Sequence, residues 1–266
     1  MTALSDLIQS FEKLWPPSSA EDWDRVGLML GNPKQEISKV LLSVDITAEV
    51  VSDAIEIGSQ LLLTHHPMLL RPVHELGELT AKGHVVANAV RGSLAVYAAH
   101  TNADIAPSGV SQSLAAAIGL RDISPLDANS GHGCIGSVKE QKLVDFARHV
   151  AKVLPSVAQG VKVAGKPEQL IRKVALVGGA GDAFLTQALD SGADLFITSD
   201  LRHHPSQDFK ELSTLVAGPA LMDISHWAAE WFWLESAAMQ LANLHADVEF
   251  VVSDIRTDPW DFAVMQ

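Results

Sequence analysis

The chain has 266 residues, 47% hydrophobic and 19% charged, enough for one large core or two modest ones and not the composition of long disorder. Its formal charge of −13 works against a nucleic-acid backbone or an anionic membrane as main partner. A lone cysteine, Cys134, cannot close an internal disulfide, and no apolar run nears the roughly 20 residues of a membrane span, so a cytoplasmic location without membrane partners is expected.

In chain order, Leu4, Leu7, Ile8, Phe11 and Leu14 recur at helical spacing and predict an amphipathic helix ended by Pro16-Pro17. Lys39–Val44 reads as a buried strand, Glu49–Ile57 as a helix closed by Gly58, and Leu61–Thr64 as a second strand. The pattern returns 134 residues later. Lys173–Val177 is a strand, Ala183–Ser191 a helix stopped by Gly192, and Leu195–Thr198 the next strand. Leu94–Ala99 and Pro219–Met222 are further apolar strands, each followed by a His-x-x-x-carboxylate pair: His100/Asp104 and His226/Glu230. Strands alternating with helices imply mixed sheets covered by helices. The fold expected is therefore α/β, with two related lobes at residues 1–125 and 137–266, a Gly/Ser/Asn-rich junction at 126–136, and a polar site in the cleft between them.

Three apolar residues run abruptly into His65-His66-Pro67. Imidazole is a common metal ligand, but adjacent strand residues face opposite ways, so both can serve one site only where the backbone turns. One histidine capping the strand and one exposed is the plain alternative. His226 and Glu230, four apart at a helix start with Asp223 or Ser225 as N-cap, share one face and could chelate one centre or form an ordinary surface pair. His100 and Asp104 repeat the spacing, although Pro107 and Gly109 predict a loop there. Carboxylates that bridge two cations are the mark of two-metal sites, with Asp104 and Glu230 as candidates. His203-His204-Pro205 is a second tandem that could ligate, touch substrate or lie on the surface. Asp45 and Glu49 could orient ligands or cap a helix. Trp227, Trp231, Phe232 and Trp233 predict a helix buried between lobes or in a subunit interface. Val177–Gly181 is the nearest approach to a phosphate loop, but it lacks the Lys-Ser/Thr of one.

These residues carry a resemblance that runs nearly end to end. Asp22–Leu28, Val44–Thr47, Leu63–Pro67, His100–Asp104, Thr198–His204, Asp223–Glu230 and Thr257–Pro259 stand in the order found in the Nif-three-like dinuclear-metal family, whose bacterial members are called GTP cyclohydrolase I type 2 homologues. The resemblance implies a short-form member in which His65, His66, Asp104, His226 and Glu230 hold two divalent ions drawn from Zn, Fe, Mn, Ni or Co. It implies a metal-dependent hydrolase acting on a small molecule, with a nucleotide suggested by the name, and a ring-shaped homohexamer. His100 and His204 would then move protons or touch substrate. A non-catalytic metal-handling or assembly protein is the alternative. The family usually has Gly where Ser225 stands, often Gly at Ser199, and commonly Asn at Arg25.

Overall fold

Two sheets organise the chain, one around four parallel strands and the other around three. The computed structural model describes residues 1–264. It divides into two compact units: Met1–Ala106 with Leu234–Thr257, and Pro107–Trp233 with the segment from Asp258 onward.

The first unit opens with β1 (Thr2–Ala3), α1 (Leu4–Leu14), β2 (Gly27–Leu30), β3 (Glu36–Ile37) and β4 (Lys39–Ser43). It continues with α2 (Ala48–Glu56), β5 (Leu61–Thr64), α3 (Ala81–Arg91), β6 (Ala95–Ala98) and the single turn α4 (Thr101–Asp104). The second holds α5 (Val110–Ala117), β7 (Arg121–Pro125), β8 (Cys134–Lys142), α6 (Leu143–Val153), β9 (Lys162–Ala164) and β10 (Leu170–Ala180). After these come α7 (Leu185–Asp190), β11 (Leu195–Ser199), α8 (His203–Val216), β12 (Ala220–Ile224) and the start of α9 (His226–Leu244). The rest of α9 and β13 (Glu249–Val252) belong to the first unit.

In the first unit the strands run β13-β4-β5-β6-β2. The first four are parallel and β2 closes the edge antiparallel. All four residues of β5 are buried, as a central strand covered on both faces requires. Helix α1 buries Leu4, Leu7 and Phe11, the apolar face its spacing predicts, and Phe11 meets Tyr97 of β6 edge-on at 4.9 Å. In the second unit the order is β7-β8-β10-β11-β12-β9, with β10, β11 and β12 parallel.

The repeat read from the sequence is thus a repeat of topology: β4-α2-β5-β6 corresponds to β10-α7-β11-β12. Gly58 and Gly192 both stop the connecting helix at positive φ, 74° and 67°, where a side chain would be strained. The two helices differ in their starts. The Thr47 side chain accepts from the Val50 N–H and caps α2. Gly181 offers no such cap, and residues Asp182–Phe184 wind as a tighter 3-10 turn before α7.

Several boundaries depart from the sequence reading. The chain does not divide at 126–136: β7 pairs with β8 and joins the second unit, while β13 pairs with β4 and joins the first. The first assignment rests on a hairpin that spans the expected junction, and the second on pairing between residues distant in sequence, which local composition does not report. The predicted loop at His100–Asp104 is instead a turn of helix, for a reason that emerges with the site.

Candidate metal centre

Strand β5 continues its ladder beyond Thr64, since His65 N–H donates to Ser43 O and His66 N–H to Val44 O. The Thr64 hydroxyl then donates to the His66 carbonyl at 2.8 Å and folds the backbone over at the strand end. Adjacent imidazoles that a regular strand would send to opposite faces are thereby brought to a centroid separation of 5.0 Å. His65 is fully buried and His66 half-buried.

The turn α4 brings in a third imidazole. His100 is its N-cap, and the cap is supplied from far away: buried Asp24 accepts from the Thr101 N–H at 3.0 Å and the Thr101 hydroxyl at 2.6 Å. The Asn102 side-chain oxygen accepts from His100 N–H. That long-range carboxylate is why four residues before a proline hold a helical turn. Burial alone would raise the Asp24 pKa, but hydrogen bonds from His100 and Thr101 outweigh it and hold the carboxyl well below the usual carboxylate range. His65, His66 and His100 offer ligand atoms within 4.8 Å of one another, a group that could hold a metal ion. Asp104 ends α4 with Oδ1 3.7 Å from His65 Nε2.

In the second unit, His226 opens α9 and Glu230 follows one turn later, with His226 Nε2 and Glu230 Oε1 2.9 Å apart. Glu230 is 2% exposed. Burial lowers the His226 pKa, yet the Glu230 and Asp200 carboxylates outweigh it and raise the group well above its ordinary 6.5. The glycines of Val177–Gly181 have a use other than phosphate binding. Gly179 sits at φ 75°, and a Cβ there would lie 2.6 Å from Glu230 Oε1 and 3.3 Å from His226 Nε2. A Cβ at Gly181 would lie 2.2 Å from Thr198 Oγ1. The space an anion would need is filled by the protein's own polar side chains.

One regularity recurs in both units. His65 Nδ1 lies 2.9 Å from Ala99 O, His66 Nδ1 2.7 Å from Asp45 Oδ1, His100 Nδ1 2.8 Å from Asp24 Oδ1 and His226 Nδ1 2.8 Å from Asp200 Oδ2. Each acceptor favours a proton on Nδ1, the arrangement that orients metal-ligating histidines, and at His226 the second nitrogen meets a further carboxylate, Glu230 Oε1. Asp45 is itself held by the Thr257 hydroxyl at 2.5 Å. It orients His66, while Thr47 rather than Asp45 or Glu49 caps α2. Asp24 and Asp200 were not identified from the sequence as orienting groups, because each meets its histidine through contacts 76 and 26 residues apart.

The remaining candidates fall as follows. His203 and His204 are exposed in the first turn of α8, their rings 5.1 Å apart. Ser225 caps α9, accepting from Ala228 N–H at 3.2 Å and donating to Asp258 at 2.6 Å, so its hydroxyl is engaged in structure. Trp227 and Trp233 are buried and Trp231 and Phe232 half-buried.

The model of the Duf34/NIF3 (NGG1p interacting factor 3) family matches residues 2–259. The chain belongs to that family. A Streptomyces coelicolor relative named GTP cyclohydrolase 1 type 2 homolog is 40% identical, the match covering 98% of this chain and 94% of the relative. A Clostridium perfringens relative of the same name is 34% identical over 97% of this chain and 99% of the relative. The crystal structure of a Bacillus cereus protein related to NIF3 superimposes with a TM-score of 0.90 at 23% identity, covering 98% of this chain and 99% of that one, and establishes the shared fold. Among the described residues no helix is long and apolar enough to cross a membrane. Cys134, the one cysteine, is buried, and burial pushes its thiol up to about 12, outside thiolate chemistry at neutral pH.

Proposed function

We propose that this family member is a dinuclear metal-dependent hydrolase, with His65, His66, Asp104, His226 and Glu230 as ligands. The observation that carries the reading is the set of four imidazoles, each with Nδ1 against an oxygen acceptor, the orientation that turns Nε2 toward a prospective metal. Neutral imidazole with carboxylate and no sulfur suits Zn, Fe, Mn, Ni or Co. A divalent ion held there supplies Lewis acidity toward water and toward a carbonyl- or phosphoryl-type oxygen.

The protein's own groups have distinct tasks in this reading. Asp45 and Asp200 keep His66 and His226 in the ligating tautomer. Asp24 does the same for His100, which stands against His65 and His66 and serves to give or take a proton; His204 serves as a substrate contact. The name shared by the relatives makes a nucleotide such as GTP the first substrate to test. A cytoplasmic ring-shaped homohexamer is the assembly we propose for it.

The test is turnover of GTP and of simple phosphate and amide esters by metal-loaded protein, with and without chelator. Hydrolysis that chelator abolishes and added metal restores is the expected result. Full metal occupancy with no turnover on any of them would overturn the hydrolase and leave a metal-holding protein. The second reading has its own support, since the carboxylates Asp24, Asp45 and Asp200 are engaged in orienting imidazoles rather than standing ready as bases.

A further inference from the structure

Beside the imidazole cluster stands a tryptophan that does nothing for the core. Trp23 is 57% exposed, whereas Trp15 in the same unit is 1% exposed. Its ring meets His100 edge-to-face, centroids 5.8 Å apart and planes at 81°, and His100 in turn lies 5.1 Å from His65 and 5.3 Å from His66.

The exposed ring is carried on a braced turn. Asp24, next in sequence, is 6% exposed and fastened to His100 and Thr101. Asp24 N–H donates to Glu21 O, and Glu21 N–H donates to the Thr101 hydroxyl. The Arg25 guanidinium donates to the carbonyls of Asp22 and Asp24. An aromatic side chain on such a turn is placed before any ligand arrives, so a stacked partner costs little further ordering.

We infer that Trp23 is a stacking platform for a planar aromatic heterocycle of the nucleobase or pterin class, held against the His65, His66 and His100 cluster. This rests on the hydrolase reading for its purpose but not for its test. The alternative handle on a nucleotide, its phosphates, is not offered by the cation beside Trp23 in sequence: the Arg25 guanidinium is committed to backbone carbonyls. The glycine stretch of the other unit packs on Glu230 and Thr198. Base-to-aromatic stacking tolerates different heterocycles, because each presents a π-face. The platform therefore defines a class of ligand rather than a single base.

Equilibrium dialysis of guanosine, a simple pterin and inorganic triphosphate against wild type, Trp23→Phe and Trp23→Ala tests the inference. It is run on metal-loaded and chelated protein, with metal content measured in each. Trp23→Ala should bind guanosine and pterin roughly tenfold to a hundredfold more weakly, Trp23→Phe within a few-fold of wild type, and triphosphate binding should not change. Equal heterocycle affinity in wild type and Trp23→Ala, or no heterocycle binding by loaded wild type, would overturn the platform. Trp23-dependent binding without turnover would sustain the platform and refute only the hydrolase.

Discussion

Replacing Gly179 by alanine separates the strain of a backbone position from damage to a ligand pair. At φ 75° any side chain adopts the left-handed region at a cost of about 1–2 kcal/mol. The added methyl group would also stand 2.6 Å from Glu230 Oε1, closer than such atoms approach in folded proteins, and 3.3 Å from His226 Nε2. Thr198 Oγ1 bonds the Gly179 carbonyl and Ser111 Oγ the Gly178 N–H, so the loop is held and the Glu230 carboxylate is what must give. Displacing a ligand-orienting contact costs roughly tenfold to a hundredfold in metal affinity. Gly192→Ala is the matched control: its φ is 67°, and the nearest atom to an added Cβ is Lys173 Nζ at 3.9 Å. Gly192→Ala should lose about 1–2 kcal/mol in chemical denaturation of metal-free protein, and Gly179→Ala at least as much, because Glu230 must also move. Only Gly179→Ala should also lose metal affinity in calorimetric titration. Equal, wild-type metal affinity in both would refute the view that Gly179 makes room for Glu230 and His226.

Asp45→Ala and Asp200→Ala remove the acceptors on His66 and His226 and should each weaken metal binding roughly tenfold to a hundredfold, with Asp→Asn milder because the amide oxygen still accepts; calorimetric titration reads this directly. Ser225→Ala should cost about 1–2 kcal/mol through loss of the α9 cap, and Ser225→Gly less, as read by denaturation. The raised pKa of His226 sets a pH dependence. In metal-free protein the charged imidazole beside Glu230 and Asp200 stabilises the fold fully below pH 6.5, and that contribution is lost as pH rises through the raised folded value. A proton competes with metal at the same ring, so the metal-induced rise in Tm should grow from roughly pH 6 to 9, and a pH-independent rise would contradict the competition.

Legibility in the sequence followed the range of the contacts involved. Strand β5 was readable to the residue because four consecutive apolar residues end in two histidines, and α1 because its buried face repeats within three turns. His65, His66, His226 and Glu230 were readable as candidates because their spacing is local. Of the acceptors that orient them, Asp45 was readable as a group that could orient a ligand, whereas Asp24 and Asp200 were not, since they meet their histidines only after folding. The α4 turn was hidden for the same reason, its cap arriving from Asp24. Gly179 stood in a stretch that resembles a weak phosphate loop, and only the approach of Glu230 reveals its use. The unit boundaries depend on β7 pairing with β8 across the Gly/Ser/Asn-rich stretch that reads as a junction, and on β13 pairing with β4, a contact that no local pattern encodes.

The central claim is that these imidazoles and carboxylates bind metal. Elemental analysis of protein purified without added chelator, for wild type and Glu230→Ala, tests it most directly. Two divalent ions per chain, falling in the variant while its fold persists, is the predicted result. Less than one ion per chain in the intact protein, or unchanged content in Glu230→Ala, would contradict it.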